Sequence, residues 1–565
     1  MDRSRSHPHP EPSAGSDRLS KLGDRVLGNI LSFLPAKEAA RGALLSSRWR
    51  HVFAAVHTVA LEEPESPVTD PDDDRGYSPS WPRPPDPNAP PPFPSVVSAA
   101  IMARQRRRDA APLRALRVTL DYYGRDESIT VDQWVSYAVQ QASAAEGLDL
   151  ELCLCRRRLC SRNYDDPEHR GLERYKAPTP PDSPKTEEEE EEEDPGPNMS
   201  DDESSVVSSD DAAAAKDRFA HRNPWAVPPY TVPRLLFSCA ELRSLSISSC
   251  RLAPPADAFT VPWLVALRLS HVLDAGADVE RLVTGCPRLA DLTLEACNAV
   301  TALDITGAAR LRRLALRCCH RLATVAVDSS ELRAFEYRGT VPDASFLAMR
   351  GGCGRVAYAK VDICGAEAAS ESELTSLTKL LRLFANAKHL HLESARLGSG
   401  FDKDVPMVSL PCFSSLRRLE TRGRLPDDDA GVVGAMSRIL EHCPNLEELS
   451  LVFHPQRYVH DDPGYYSYSE EELLDAHHLS YNPHSVLAAP TAMIPCLRSR
   501  VKEINLVHYQ GGTAQRTLAK FLLCNAPVME KLWCEFAEGP MWTQTQIMRE
   551  IQGWVLNKSA QTHFA

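Results

Sequence analysis

From residue 242 onward a short motif, L-x-x-L-x-L, keeps returning, and it limits what this 565-residue chain can fold into more than any other feature. The copies begin as Leu242, Leu245, Ile247, then Leu264, Leu267, Leu269, then Leu289, Leu292, Leu294, then Leu311, Leu314, Leu316. Leu332, Phe335, Tyr337 is a weaker copy, and Val356, Ala359, Val361 is a possible one. Later copies are Ala387, Leu390, Leu392; Leu416, Leu419, Thr421; Leu446, Leu449, Leu451; Val501, Ile504, Leu506; and Met529, Leu532, Cys534. Leu113, Leu116, Val118 stands alone upstream. Each L-x-L turns alternate side chains of a short strand to one face. One coil cannot bury that face by itself, but stacked coils can.

The central positions 245, 267, 292, 314 and 335 are separated by 22, 25, 22 and 21 residues. That period is the roughly 20 to 29 residues of leucine-rich repeats. Three units also place a cysteine eight residues after their first leucine: Cys250, Cys297 and Cys319. A small, weakly polar thiol there suits a buried turn where it meets backbone amides, so these cysteines read as structural. The predicted fold class is α/β, a curved solenoid with a parallel sheet and helices outside it. Segments 278–286, 373–386 and 431–443 have the length and apolar spacing of the returning helices, and Leu148, Leu150, Leu152, Leu154 mark an early strand.

Charge is distributed unevenly. The chain holds 64 Lys+Arg and 77 Asp+Glu, a net charge of -13. Between Asp182 and Asp211 there are 14 acids and one base, Lys185, so this segment alone carries -13 and the remainder sums to zero. No basic face dominates, which argues against nucleic-acid binding. No apolar run approaches the roughly 20 residues of a membrane span, and the polar N-terminus lacks the apolar core of a signal peptide. The expected compartment is the nucleus or cytoplasm, where the 16 cysteines stay reduced.

Near the N-terminus, Leu22, Val26, Leu27, Ile30, Leu31 and Leu34 recur at helical spacing, and Pro35 ends that helix. Ala39, Ala43 and Leu44 suggest a second helix. A third, capped by Ser46 or Ser47, carries Trp49, Val52, Phe53 and Val56. Three short helices make a core so small that a partner usually completes it.

Here the sequence resembles a known family. Asp17-Arg18-Leu19-Ser20-x-Leu22-x-Asp24-x-x-Leu27, then Ile30-Leu31-Ser32-Phe33-Leu34-Pro35-x-Lys37, then Leu45-Ser46-x-Arg48-Trp49-Arg50, is similar to a plant F-box. Val501-Lys502-Glu503-Ile504-Asn505-Leu506, Tyr509-Gln510-Gly511 and the run from Phe521 to Leu532 resemble an FBD segment. The wider resemblance is to plant F-box proteins with leucine-rich repeats and a C-terminal FBD segment. It implies a substrate receptor of an SCF-type cullin–RING ubiquitin ligase, with the F-box on the SCF adaptor, through it cullin, and the repeats on an unidentified target protein. It implies no catalytic residue, cofactor or metal. The implied adaptor-binding set is Leu22, Val26, Leu27, Ile30, Leu31, Leu34, Pro35 and Trp49. The alternative is an interaction scaffold with a weakened F-box: Gly23 stands where the family usually has Pro, Ser47 replaces a basic residue, and Gly28 and Gly42 lie inside helices, each costing about 1 kcal/mol relative to Ala. The expected organisation is a disordered tail (1–15), the F-box (16–56), a Pro-rich linker (57–95), the first repeats (96–155), a disordered acidic insertion (156–229), the main repeats (230–494) and FBD-like repeats (495–565); the resemblance does not account for the linker or the acidic insertion, which are read from composition.

Other signals are weaker. Cys153, Cys155, Cys160 and His169 invite comparison with a zinc site, but C-x-C-x4-C is not a standard structural spacing. Arg104, Arg106, Arg107 and Arg108, like Arg156 to Arg158, read as solvated element ends rather than a nuclear address. His460, His477, His478 and His484 fall in a Tyr-rich irregular stretch that reads as a projecting loop or disordered surface. Ser200 and Ser208, each followed three residues later by an acid, suit an acid-directed kinase. No G-x-x-x-x-G-K-[ST], G-x-S-x-G or H-E-x-x-H motif occurs.

Overall fold

The computed structural model describes residues 21–64 (without 35 and 42–48), 91–160 (without 106–110, 122, 125–126 and 158), 228–454 (without 329, 352–353, 366–369, 402–409, 427–428 and 430), 493–537 and 541–565. The tail, most of the Pro-rich and acidic stretches, Pro35, Gly42, Ser47, the His cluster, Ser200 and Ser208 lie outside them. The chain forms two compact units, residues 1–155 with 233–247, and residues 156–232 with 248–565.

In the first unit the helices Asp24–Leu31, Ala36–Arg41 and Trp49–Val52, with a 3-10 turn Phe53–Ala55, build a small core from Leu27, Leu31, Ala39, Val52, Phe53 and Val56. Beyond it, four strands stand side by side in the order Thr58–Glu62, Ala115–Thr119, Leu148–Cys153, Leu242–Ser248. The first three pair in parallel with Val59, Leu116 and Leu150 in one row. Helix Ser128–Gln141 returns the second strand to the third and buries Val131, Trp134 and Val135. The strand at Thr58–Glu62 lies inside the stretch read from its prolines as a linker, and helix Phe93–Gln105 starts before that stretch ends. Arg104 is no solvated end: it is fully buried, its Nε donating to Tyr137 Oη at 3.0 Å and its Nη2 to the Ala111 carbonyl at 2.7 Å.

Among the described residues, the main sheet of the second unit has eleven parallel strands in chain order, and the leucine rows run straight across them. Leu267 faces Leu292, then Leu314, Phe335, Ala359, Leu390, Leu419, Leu449, Ile504, Leu532 and Thr562. A strand one residue out of phase would turn its part of this row to water, so burial of the row specifies the register. The helices come where the spacing places them, at Gly276–Thr284, Glu371–Arg382 and Val432–Glu441. The middle one starts at Glu371 because Ser370 caps it: Ser370 Oγ accepts from the Glu373 amide at 3.2 Å, and the Ser370 amide donates to Glu373 Oε2 at 3.0 Å. Between residues 302 and 350 the return segments are strands instead, Ala302–Ile305, Thr324–Asp328 and Leu347–Arg350, paired in a second parallel sheet. The coils that hold the first two, 22 and 21 residues long, leave too little chain for a helix, and alternation in Thr324-Val325-Ala326-Val327 suits an extended return.

Cys250 and Cys297 are fully buried, as their position in the repeat requires. Cys297 Sγ lies 3.3 Å from the carbonyls of Leu269 and Glu295, and Cys319 Sγ 3.6 Å from those of Leu294 and Arg317. The thiols donate to carbonyls, and Cys297 also has a backbone hydrogen bond from Val272, in keeping with the contact to amides that the sequence reading expected. Among the described residues, no helix is long and apolar enough to cross a membrane.

Candidate functional site

Helix Asp24–Leu31 is amphipathic twice over. Its apolar residues, read in sequence as one stripe, fall on two neighbouring faces. Leu27 and Leu31 point into the small core and are buried, while Leu22 and Trp49 pack on its edge. Val26, Ile30, Phe33 and Leu34 sit at i, i+4, i+7 and i+8 and are 49, 43, 84 and 41% exposed. Together they form a bare apolar ridge along the helix and past its C-terminus. Phe33, the most exposed of the four, was missing from the sequence-based set; its spacing from Val26 was the available signal. Of that set, Leu27 and Leu31 are core, Val26, Ile30 and Leu34 are surface, Leu22 and Trp49 are intermediate, and Pro35 lies outside the described residues.

Two contacts hold the helix in place. Gly28 packs on the 3-10 turn so closely that a Cβ there would lie 2.4 Å from the Ala55 carbonyl oxygen. Ser32 Oγ donates to the Gly28 carbonyl at 2.8 Å and accepts from the His57 amide at 3.1 Å. Burial, with the Arg114 charge nearby, lowers the His57 pKa. The helix N-terminus is barer, because the N-cap is Gly23 and no side chain caps it.

The second unit displays the opposite chemistry. Side chains that alternate with the leucine rows stand on the other sheet face and form an ion-pair network. Glu295 takes Arg268 at 2.9 Å and Arg317 at 3.3 Å; Glu336 takes Arg313 and Arg317 at 2.8 Å each; Arg313 also reaches Asp291 at 3.1 Å. Burial raises the Glu336 carboxyl pKa, but the two arginines outweigh that and hold it below its ordinary value. Further along, Arg338 meets Asp362 at 3.3 Å, Lys360 meets Glu393 at 3.2 Å, and Arg422 meets Glu420 at 2.6 Å. His391 lies 3.4 Å from both Glu393 and Glu420, and His454 lies 3.6 Å from Glu393. Burial pushes the Glu393 carboxyl up, yet His391, Lys360 and His454 together hold it at about 2. In these pairs six permanent cations (268, 313, 317, 338, 360, 422) face six carboxylates (291, 295, 336, 362, 393, 420), so the pairs described leave no net charge.

The four residues weighed as zinc ligands do not form a set. Cys153 Sγ instead donates to the Cys155 carbonyl, and His169 lies outside the described residues. Cys160 has other neighbours, Cys318, His320 and Cys364, none of which entered the sequence reading as a ligand. Their separation along the chain hides them from any spacing rule.

Comparison with known proteins adds three similarities. The family model described as At1g61320/AtMIF1, LRR domain, matches residues 229–480. The F-box/FBD/LRR-repeat protein At2g26030 of Arabidopsis thaliana is 24% identical over 351 residues, covering 57% of this chain and 69% of that protein. The F-box/LRR-repeat protein At4g14103 of Arabidopsis thaliana is 45% identical over 51 residues, 9% of this chain. In that comparison the chain spans 13% of the relative's length.

Proposed function

We propose, on the premise that the chain is an F-box/leucine-rich-repeat/FBD protein of the plant type, that it serves as a non-catalytic substrate receptor of an SCF-type ubiquitin ligase. The first helix offers its ridge to the SCF adaptor and through it to cullin, and the repeats present a target protein in the nucleus or cytoplasm. The observation that carries the reading is the ridge itself. Four large apolar side chains stay in water along and just past a helix whose other apolar face already fills its own core. Exposed apolar patches of this kind mark protein interaction sites. The polar sheet face of the second unit suits a target with mixed charge. Its cations and carboxylates are already paired, so a partner must exchange ion pairs and does not simply add to them.

The scaffold alternative rested partly on Gly28 as a helix-weakening residue. The close approach to Ala55 gives that glycine a packing reason, which leaves the uncapped Gly23 as its main structural support.

The test is binding of the full chain to a recombinant plant SCF adaptor by calorimetry, comparing wild type with Ile30→Asp and Phe33→Asp. Each charge placed on a central interface anchor should cost about 2 kcal/mol, roughly thirtyfold in Kd. Leu31→Asp is unsuitable as an interface probe, because Leu31 is core and a charge there unfolds the unit. Unchanged affinity in both surface variants would refute the ridge as the docking site. A folded wild type that does not bind the adaptor would favour the scaffold.

A further inference from the structure

Four side chains from three separate segments of the sequence converge in the second unit. Cys160 Sγ lies 3.3 Å from His320 Nε2 and 3.6 Å from Cys364 Sγ. With Cys318, all four ligand atoms lie within 4.8 Å of one another. Cys160, Cys318 and Cys364 are buried, and Leu159 closes over the group. His320 Nδ1 is also buried and has no hydrogen-bond partner among the described residues.

These distances match one kind of site. Zinc takes thiolates at about 2.3 Å and imidazole nitrogens at about 2.0–2.1 Å in a tetrahedron, so its ligands stand about 3.8 Å apart for S···S and about 3.5 Å for S···N. The observed 3.6 and 3.3 Å fall close to those edges. Three soft sulfurs and one imidazole favour zinc over the oxygen-seeking cations. Four protein ligands leave no open position, which is the mark of a structural site and not a catalytic one. We propose that Cys160, Cys318, His320 and Cys364 bind a structural zinc ion.

The fold shows what such an ion would fasten. Cys318 follows strand Arg313–Arg317 and Cys364 follows strand Tyr358–Ile363, at the same end of the sheet. Cys160 is the last described residue before 161–227. The zinc would join that point of the chain to the ends of two coils, so binding energy becomes folding energy for this part of the unit. The sequence reading assigned the chain no metal; the geometry points the other way, through ligands drawn from three separate segments.

The experiment uses the full chain produced with zinc in the medium and dialysed exhaustively against metal-free buffer. Metal is then counted by plasma mass spectrometry, and cobalt is substituted for optical spectroscopy. Wild type and the control Cys412→Ser, which alters an exposed cysteine outside the cluster, should each keep about one zinc per chain. The double variant Cys160→Ser, Cys364→Ser should lose at least nine-tenths of it. Cobalt should give intense tetrahedral bands and a near-ultraviolet thiolate charge-transfer band that weaken in His320→Asn, a half-buried position that keeps the thiols in place if the double variant fails to fold. A wild type that is folded by circular dichroism but metal-free would overturn the proposal. So would equal zinc in the ligand variants, or a disulfide from Cys160 to Cys318 or Cys364 in a non-reducing peptide map.

Discussion

Replacing Gly28 by Ala separates two ways of reasoning about the first helix. Helix propensity says that Ala in place of an interior Gly stabilises by about 1 kcal/mol. The packing says the reverse. The added methyl would lie 2.4, 2.6 and 2.7 Å from the carbonyl oxygen, carbonyl carbon and Cβ of Ala55, where ordinary contact begins near 3.4 Å. Two of those atoms are backbone, so no side-chain rotation relieves the overlap, and the helix and the 3-10 turn must part by most of an ångström. Overpacking of this kind costs about 1–3 kcal/mol. Set against the propensity gain, the expected net loss is about 0–2 kcal/mol, or a rise in the open population of up to roughly thirtyfold. Hydrogen–deuterium exchange of the amides from Asp24 to Leu31 reads that population directly. Faster exchange by such a factor in Gly28→Ala is the expected result. Slower exchange than wild type would refute the packing argument and restore the view that Gly28 merely weakens the helix.

Two further outcomes are expected. Glu393→Gln should destabilise the second unit by about 3 kcal/mol at neutral pH, since Lys360, His391 and His454 lose a buried carboxylate. The wild-type carboxylate, held at about 2 against an ordinary 4.5, contributes stability that is complete above about pH 4.5 and is lost as the pH falls toward 2. Urea midpoints measured down that range should fall less steeply in the variant; parallel slopes would contradict the assignment. In native alkylation at neutral pH, exposed Cys412 should react before Cys286 and Cys534, whose thiols burial pushes up to about 12. Peptide mapping that finds Cys286 labelled first would count against the buried placement.

The leucine rows were legible because a strand has a period of two and a coil a nearly constant length. Positions 267, 292, 314 and 335 in the sequence are the same positions that face each other in the sheet. The short returns at Ala302–Ile305 and Thr324–Asp328 were missed because a general expectation of helices overrode the alternation visible in them. At the N-terminus the apolar residues were all visible, but hydrophobicity does not say which side of a helix meets the core. Leu27 and Ile30 look alike in sequence and differ only in what the second and third helices cover. The cysteine cluster was not legible at all. Its members lie 158, 2 and 44 residues apart in turn, and only the stacking of the coils brings them together. Gly28 shows the same limit at a single residue, since Ala55 is 27 positions away.

The strands Leu148–Cys153 and Leu242–Ser248 are neighbours in the first unit's sheet, and the Leu148 amide donates to the Glu241 carbonyl at 2.8 Å. The chain between them leaves and returns to two places that already touch, a detour whose length can change at little cost, because doubling a loop adds only about 0.6 kcal/mol. Insertion within a coil has no such freedom: one extra residue in a strand turns its leucines outward. A protease cut inside the detour should accordingly leave two polypeptides that migrate as one particle, and the same place would accept new chain ends, a fused tag or a whole inserted domain while the rows of leucine on either side keep their match.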